Sequence, residues 1–334
     1  MERSAAVAKG GEGAAAPVGL PGTVVLLATF NGEAFLAEQL RSLRDQRDED
    51  WVLVVRDDLS TDRTPSILDS FAASCRPGQV VRLPDGPARL GALGNFLALL
   101  AEAPRGQRYA FCDQDDVWLP DKLLRARQAL AGEAADRPAL YCARQRLVDG
   151  GLAERGLSPA FPRPASLRNA LVQNIATGCT VVLNEAARQA MLATPPPAIT
   201  LHDWWAYLVT TAVGGRVILD PHPVILYRQH GANAVGAAAG GMSRALRAAR
   251  RGPDIFTRRF LAHVEGLLRH PDLTPEARSL LRELSDLPRV GFLGKLAALR
   301  RCGLYRQGVL KRAGLYAWVA CWHLAGPAGA KPRG

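Results

Sequence analysis

The sequence predicts an α/β protein whose central sheet is mainly parallel and covered by helices on both faces. From Thr23 onward, strand-like runs alternate with amphipathic helices, and the strands are continuous apolar runs. Strands that are buried on both faces have this pattern, because the helices of βαβ units lie on the two faces of the sheet. A chain of 334 residues with 48% apolar residues is long enough to bury such a core.

Three βα units follow one another in the first part of the chain. TVVLLAT at 23–29 is a strand, and leucines recur after it at helical spacing. WVLVVR at 51–56 is a second strand, and the polar segment DDLSTD that follows it contains capping residues for the next helix. RYAFC at 108–112 is a third strand that stops at three aspartates, with Pro120 suited to the first turn of another helix.

The second half of the body is predicted to hold further strands and one apolar helix. ALYCARQRLV at 139–148 is a strand, and LHDWWAYLVTTAVGG is a helix that begins at His202 and Asp203. RVILD and PVILYRQH are predicted as two separate strands that close the body. We therefore divide the chain into a disordered leader (1–22), an α/β domain (23–239) and a basic amphipathic helical extension (240–334).

The positive charge is concentrated in this extension. The net charge of the chain is +11, and 18 lysines and arginines lie from Gly240 onward against 6 aspartates and glutamates. Amphipathic helices with clustered arginine and lysine are typical of an anionic membrane surface, and packing on the body is the alternative. A near-neutral body does not favour nucleic acid as a partner. No segment reaches the roughly 20 apolar residues of a membrane span, and six scattered cysteines indicate reduced thiols, so we expect a cytoplasmic protein on the inner face of the membrane.

Three polar clusters end three successive strands of the predicted sheet. They are Thr29 to Asn31, Asp57 with Asp58, and the aspartates 113, 115 and 116. The carboxyl ends of parallel strands meet at one edge, where ligands bind. Three carboxylates this close repel one another unless water or a cation intervenes, so the last cluster is either a solvated turn or a site for Mg²⁺ or Mn²⁺.

These segments resemble a known family. VVLLATFNGEAFLAEQLRSLRDQ, WVLVVRDDLSTDRT and FCDQDDVWLPDKL are similar to the nucleotide-sugar half of inverting family 2 glycosyltransferases of the GT-A fold. LHDWW and YRQHGAN further resemble the branch that contains rhamnosyltransferases of bacterial cell-surface polysaccharides. The likeness covers about 23–235 and lacks the Gln-x-x-Arg-Trp motif of processive synthases, which favours addition of a single sugar.

The resemblance implies a role for each matching residue. Thr29 and Asn31 would lie against the nucleotide, and Asp58 would hydrogen-bond the pyrimidine with Asp57 beside it. Asp113 and Asp115 match the metal-binding DxD pair, which His230 would assist near the diphosphate. Asp203 falls at the catalytic base, although many relatives have Glu-Asp where this chain has His202-Asp203, and Glu185 and Asp220 are less well placed competitors. Asn95, in a loop containing GALGN, is expected to line the donor pocket.

The chemistry of sugar transfer requires the same groups. A bound cation stabilises the negative charge that develops on the leaving diphosphate, and a carboxylate must remove the proton of the attacking hydroxyl. We therefore expect transfer of a sugar, rhamnose from dTDP-rhamnose in the first instance, from a dTDP- or UDP-sugar to a polysaccharide or lipid-linked glycan. The alternatives are a sugar-nucleotide nucleotidyltransferase, disfavoured because ATFNGEAF has no lysine or arginine, and a non-catalytic nucleotide-binding scaffold at the membrane.

Overall fold

The computed structural model describes residues 20–229 and 253–324. The strands in this part of the chain are β1 (Thr23–Thr29), β2 (Trp51–Asp57), β3 (Val80–Arg82), β4 (Arg108–Cys112), β5 (Val117–Trp118), β6 (Ala139–Val148), β7 (Glu154–Leu157), β8 (Val182–Asn184) and β9 (Arg216–Arg228). The α-helices are α1 (Leu36–Arg44), α2 (Thr64–Ala73), α3 (Gly91–Glu102), α4 (Lys122–Leu130), α5 (Leu167–Ala170), α6 (Glu185–Leu192), α7 (His202–Ala212), α8 (Pro253–Leu268), α9 (Pro275–Ser285), α10 (Phe292–Arg301) and α11 (Val309–Leu324). Nearly all of the predicted leader lies outside the described residues.

All nine strands within the described residues belong to one sheet, in the order β3-β2-β1-β4-β8-β6-β9-β5, with β7 paired to β6. The ladders β1–β2, β1–β4, β2–β3 and β6–β9 are parallel. The ladders that β5, β7 and β8 form are antiparallel. The predicted α/β class is therefore confirmed, and the carboxyl ends of β1, β2 and β4 lie side by side at one edge of the sheet.

The prediction of two strands at the end of the body is wrong. The structure has a single strand, β9, and its pairing with β6 shifts register between Ala143 and Arg144. Pro221 and Pro223 lie between the two predicted strands or at the start of the second, and proline disfavours a continuous ladder because it has no N–H to donate. The register shift lets the strand pass both prolines and resume its pairing, since an irregularity can absorb an unpaired residue.

Helices cover the sheet on both faces, as predicted. Val25 and Leu27 of β1 point into a core with α1, α2 and α4. Val24 and Leu26, which alternate with them, point into a larger core with α3, α6, α7 and the C-terminal helices. Successive side chains of a strand face opposite sides of the sheet, so one apolar run serves both cores.

The C-terminal helices α8 to α11 pack on the body. Phe260 and Val264 of α8 and Leu281 of α9 are buried in the same core as β1 and β4. Trp318 of α11 donates from Nε1 to the hydroxyl of Thr257 at 2.8 Å. Apolar residues of α8, α9 and α11 thus pack against the protein itself, which was the alternative to membrane contact, whereas Leu293 of α10 is 77% exposed. Within residues 20–229 and 253–324, none of the helices has both the length and the apolar character that a bilayer crossing requires.

Candidate active site

The loops after β1 and β2 are joined by a buried aspartate. Asp57 accepts from the Thr29 hydroxyl at 2.7 Å and from the amide and hydroxyl of Ser60, each at 2.7 Å. Ser60 Oγ accepts in turn from Asn31 N, and the Asn31 side chain accepts from Thr61 N. Thr29 and Asp57 are buried, whereas Asn31 is exposed at the rim. The structure therefore brings Thr29, Asn31 and Asp57 together at the edge where a nucleotide was predicted.

Asp58 anchors the start of α3. Its carboxylate accepts from Leu90 N at 2.7 Å, from Gly91 N at 2.8 Å and from Arg56 at 3.1 Å. Burial alone would raise the pKa of this carboxyl, but these hydrogen bonds outweigh it and lower the pKa. The predicted loop around Asn95 is wrong, because GALGN forms the start of α3; the buried Asn95 side chain accepts from Arg56 at 3.1 Å. Contact of Asp58 with a pyrimidine and of Asn95 with the donor stay predictions.

Leu59 has a strained backbone directly after this pair of aspartates. Its φ of 66° lies in the left-handed region, which a residue with a Cβ enters at a cost of about 1–2 kcal/mol. Glycine is free of that cost but loses more chain entropy on folding, about 0.5–1 kcal/mol. We expect the free energy of unfolding of Leu59→Gly, measured in urea, to equal that of the wild type or to exceed it by up to about 1 kcal/mol. Leu59→Ala, which keeps the strain, is the control and should not gain.

The acidic loop, defined here as residues 113–116, follows β4 and concentrates negative charge. Burial and the neighbouring Asp115, Asp116 and Asp203 raise the pKa of Asp113 well above its usual value. Burial and Asp115 raise the pKa of Asp116 to about 7. Asp113 and Asp115 are partly exposed, while Asp116 is 1% exposed. Of the two aspartates that could face solvent in a simple turn, Asp116 does not, whereas Asp115 is partly exposed.

Two residues hold the acidic loop in place. The Gln114 amide pairs with the backbone of Phe30, accepting from Phe30 N at 2.8 Å and donating to Phe30 O at 2.9 Å. Arg228, at the end of β9, donates from its amide to Asp116 at 3.0 Å and from Nε to the carbonyl of Asp115 at 2.9 Å. It also forms an ion pair with Glu38 of α1. The acidic loop is thus fastened to both β1 and β9.

Asp203 lies in the first turn of α7, and its side chain is buried. Its carboxylate accepts from Gly178 N at 2.9 Å and from Trp204 N at 2.6 Å. Burial raises its pKa to about 6 despite these hydrogen bonds, and its charge acts on Asp113. A carboxyl group with this pKa is ionised at neutral pH yet remains basic enough to take up a proton. The structure therefore brings Asp203 to the same site as Asp113 and Asp115.

The two competitors for the role of base are engaged elsewhere. Asp220 forms a two-point ion pair with Arg125 at 2.7 and 2.9 Å, and the bonds from Arg125, His222 and Tyr141 outweigh burial and lower its pKa to about 2. Glu185 accepts from the Tyr109 hydroxyl and pairs with Arg188 at 3.2 Å. Acids held ionised in this way are poor proton acceptors, so Asp203 is the better candidate of the three.

The aromatic residues next to Asp203 belong to the core. Trp205 is 0% exposed, and Trp204 donates from Nε1 to Ala170 O at 2.6 Å. His202 stacks on Phe96 with ring centroids 4.0 Å apart, and burial lowers its pKa to about 3, so it is neutral. Because both tryptophan rings are buried in this way, almost none of their surface is open for stacking on a sugar.

Carboxylate oxygens are the ligands that Mg²⁺ and Mn²⁺ prefer, and the acidic loop supplies them at the edge of the sheet. Burial, and after it the neighbouring aspartates, raise the pKa of Asp113 and Asp116, and a bound cation would favour the charged form of both groups. One oxygen each of Asp113 and Asp116 and the sulfur of Cys179 lie within 4.8 Å of one another. The residues present therefore fit a divalent cation. His230, the third predicted ligand, lies outside the described residues.

Sequence reasoning missed four residues around the acidic loop. They are Gln114, Cys179, Arg228 and the fully buried Lys122. A signal existed for Lys122, because Ala126 and Leu130 follow it at four-residue spacing on the buried face of α4. The other three are brought to the site by tertiary contacts that no local pattern reveals.

With this geometry established, comparison with known proteins assigns the family. The model of "Glycosyl transferase family 2" matches residues 24–189. The chain is 31% identical over 226 residues to dTDP-rhamnosyl transferase RfbG of Shigella flexneri. The match covers 63% of this chain and 74% of that protein. The chain belongs to glycosyltransferase family 2.

The family assignment agrees with solved structures. The structure of S. aureus TarS in complex with UDP-GlcNAc superposes with a TM-score of 0.56 at 17% identity, covering 79% of this chain and 71% of that one. Mannosyltransferase PcManGT from Pyrobaculum calidifontis, in complex with GDP-Man and Mn²⁺, superposes with a TM-score of 0.52 at 20% identity, covering 92% and 82%. The family 2 member described here thus has the GT-A fold.

Proposed function

We propose that this glycosyltransferase is a metal-dependent inverting enzyme that transfers a single sugar, rhamnose from dTDP-rhamnose in the first instance, to a polysaccharide or lipid-linked glycan. The observation that carries the proposal is that Asp203 accepts from Gly178 N, the residue before Cys179, whose sulfur lies within 4.8 Å of an oxygen of Asp113, so that Asp203 and the acidic loop lie close together. Similarity to an enzyme named as a dTDP-rhamnosyl transferase supports the choice of donor.

The acidic loop is proposed to bind the donor diphosphate through a divalent cation held by Asp113 and Asp115, with His230 as a further ligand. Mg²⁺ or Mn²⁺ supplies Lewis-acid stabilisation of the leaving nucleoside diphosphate when it is bound. Gln114 and Arg228 keep the loop in a fixed position, so that little reorganisation is needed on binding. The rim formed by Thr29, Asn31, Asp57 and Asp58 is proposed to receive the nucleoside.

Asp203 is proposed as the general base. It would accept the proton of the acceptor hydroxyl as that oxygen attacks the anomeric carbon, opposite the departing diphosphate, which inverts the configuration. Gly178 N and Trp204 N fix the orientation of the carboxylate. A Cβ at Gly178 would lie 2.7 Å from His202 Nε2 and 3.6 Å from Asp203 Cβ, so glycine is needed for this close approach.

The rate should depend on pH through Asp203. Its folded-state pKa is raised to about 6, so the base is ionised at pH 7 and becomes protonated as the pH falls through 6. We expect kcat to be nearly constant above pH 7 and to fall about tenfold per pH unit below pH 6. The measurement is kcat against pH at saturating donor and Mn²⁺. A constant kcat down to pH 5 would contradict the assignment.

The enzyme is further proposed to act at the inner face of the membrane, where a lipid-linked acceptor would be found. The excess of 18 basic over 6 acidic residues from Gly240 onward supports this proposal. Sedimentation with vesicles that contain anionic lipid, compared with neutral vesicles, tests it. Equal recovery in both pellets would count against it.

The donor is identified by a thermal-shift screen of dTDP-, UDP- and GDP-sugars with and without Mn²⁺, followed by a transfer assay with the stabilising donor. A ligand that binds only the folded protein raises the melting temperature. We expect dTDP-rhamnose with Mn²⁺ to give the largest shift. Stabilisation by nucleotide without any transfer to glycan acceptors would favour the nucleotide-binding scaffold instead.

A further inference from the structure

A set of buried polar side chains joins the C-terminal part of the chain to α7, the helix that carries Asp203. They come from α5 and the residues just after it, from α7, and from the connection between α10 and α11, and are called here the amide–tyrosine network: Asn169, Gln173, Tyr207, Tyr305 and Gln307. Each is at most 7% exposed. In the described part of the chain, none of their buried nitrogen and oxygen atoms lacks a hydrogen-bond partner. A buried polar network that is satisfied in this way holds the elements it joins in one arrangement.

One side of the network fastens α5 to α7. Tyr207 donates from its hydroxyl to the side-chain oxygen of Asn169 at 3.1 Å and accepts from Ser166 N, also at 3.1 Å. Tyr207 lies four residues after Asp203, so the two side chains are on the same side of α7. Further along the chain from α5, Gly178 N donates to Asp203 at 2.9 Å. The first turn of α7 is therefore held at the hydroxyl of Tyr207 and at the carboxylate of Asp203.

The other side fastens the connection between α10 and α11 to α5. Gln173 accepts with its side-chain oxygen from Gln307 N at 2.6 Å and from the side-chain amide of Asn169 at 3.3 Å. Asn169 also donates to Tyr305 O at 3.0 Å. The side chain of Gln307 pairs with the backbone of Arg163, accepting from N at 3.1 Å and donating to O at 2.8 Å. The connection is thus bound to the region of α5 through both its backbone and its side chains.

We propose that the amide–tyrosine network positions Asp203 for the acceptor, so that the C-terminal part of the chain determines how accurately the base meets the acceptor hydroxyl. The inference rests on the role of Asp203 in the proposed function. The members of the network are positioning residues, because they would act through α7 and Gly178 and would touch neither sugar nor cation. Misplacing a reacting group by about 1 Å can cost about 100-fold in rate.

The donor side of the site is fastened independently. Gln114 and Arg228 hold the acidic loop. Among the described residues, no hydrogen bond of the five side chains in the network reaches that loop or the rim after β1 and β2. Loosening the network should therefore impair transfer while leaving the binding of donor and Mn²⁺ unchanged. Transfer and binding would change together if the network merely kept the fold intact.

The test compares Gln173→Met with Gln173→Glu in transfer assays and in calorimetry of the full chain. Methionine fills a similar space but accepts neither hydrogen bond, whereas glutamate keeps an oxygen for Gln307 N and for the Asn169 amide. We expect kcat of folded Gln173→Met to fall about tenfold and that of Gln173→Glu to stay within about threefold of wild type. The affinity for UDP or dTDP with Mn²⁺ should be unchanged in both variants. A wild-type kcat in Gln173→Met, an equal loss in both variants, or a parallel loss of nucleotide affinity would overturn the proposal.

Asn184→Ala is the matched control for a general loss of stability. Asn184 accepts from Ala139 N and Ala187 N, each at 2.9 Å, so its side chain also holds two backbone amides. It pairs with Arg108 at the first residue of β4, whereas the acidic loop follows the last. Its replacement should lower the free energy of unfolding in urea and leave kcat and nucleotide affinity unchanged. If Asn184→Ala lowered kcat as much as Gln173→Met does, the network would contribute stability alone and the proposal would fail.

Hydrogen exchange measured by mass spectrometry gives a second readout that does not need transfer. In Gln173→Met, the amides of 166–178 and 202–207 should exchange at least about threefold faster than in wild type, and those of 29–31 and of the acidic loop at an unchanged rate. Wild-type exchange across 202–207 would overturn the proposal. If Gln173→Met does not fold, Gln307→Met, which loses only the pairing with Arg163, must show the same pattern of kcat and exchange. A wild-type protein that transfers no sugar would refute the proposed function, and the exchange pattern would then decide the positioning alone.

Discussion

Replacement of Asp203 by asparagine is expected to lower kcat by about 10²–10⁴-fold, because the amide cannot accept the proton of the acceptor hydroxyl. The size of the side chain is preserved, and its remaining carbonyl oxygen can still accept from Gly178 N, whose bond to Asp203 is 2.9 Å long in the wild type. Binding of donor and Mn²⁺, measured by calorimetry, should therefore stay within about threefold of wild type.

Asp220→Asn is the matched control for this prediction. Asp220 was also considered as the base from the sequence, but its carboxylate accepts hydrogen bonds from Arg125 and Tyr141. Its replacement should destabilise the protein and leave kcat of the folded fraction nearly unchanged. If Asp203→Asn lost donor binding and transfer to the same extent, Asp203 would belong to the donor site and could not be assigned as the base.

The second large effect is expected from Asp115→Asn. Removing one of the two carboxylates on the open side of the acidic loop should weaken Mn²⁺-dependent binding of UDP or dTDP by about 100-fold, in line with loss of a charged ligand of a hard cation. The measurement is nucleotide affinity with Mn²⁺ and with EDTA. The nucleotide affinities of the variant and the wild type should differ when Mn²⁺ is present and should be equal when EDTA is present.

Asp121→Asn controls for a general loss of negative charge in this segment. Asp121 lies five residues beyond the acidic loop and pairs with Arg47 at the surface, where its side chain is 45% exposed. An exposed pair of this kind contributes little, so nucleotide binding should not change. If Asp115→Asn bound nucleotide in the presence of Mn²⁺ as tightly as the wild type does, Asp115 would not be a ligand of the cation.

The sequence allowed the edge of the sheet to be predicted because that edge depends on local patterns. β1, β2 and β4 are uninterrupted apolar runs, and a polar cluster ends each of them. Parallel topology then requires the clusters to meet. The position of Asp203 at the start of α7 could also be predicted from the polar-to-apolar change at LHDWW.

What could not be predicted depends on contacts between distant parts of the chain. Gln114 stands between two predicted metal ligands, but its pairing with Phe30 spans 84 positions. Arg228 reaches Asp115 across 113 positions. The continuity of β9 was missed for a similar reason, because a register shift with β6 overrides the local effect of two prolines. In each case the deciding interaction has no periodic signature in the sequence.

The C-terminal helices share their core with β1 and β4, as Phe260, Val264 and Leu281 show. The segment most distant in sequence from the acidic loop therefore supports the strand that ends in it. Loosening α8 or α9 by mutation would reach the chemistry indirectly, through the packing behind β4. Loss of activity in a variant altered only near the carboxyl terminus thus need not mean that the acceptor binds there.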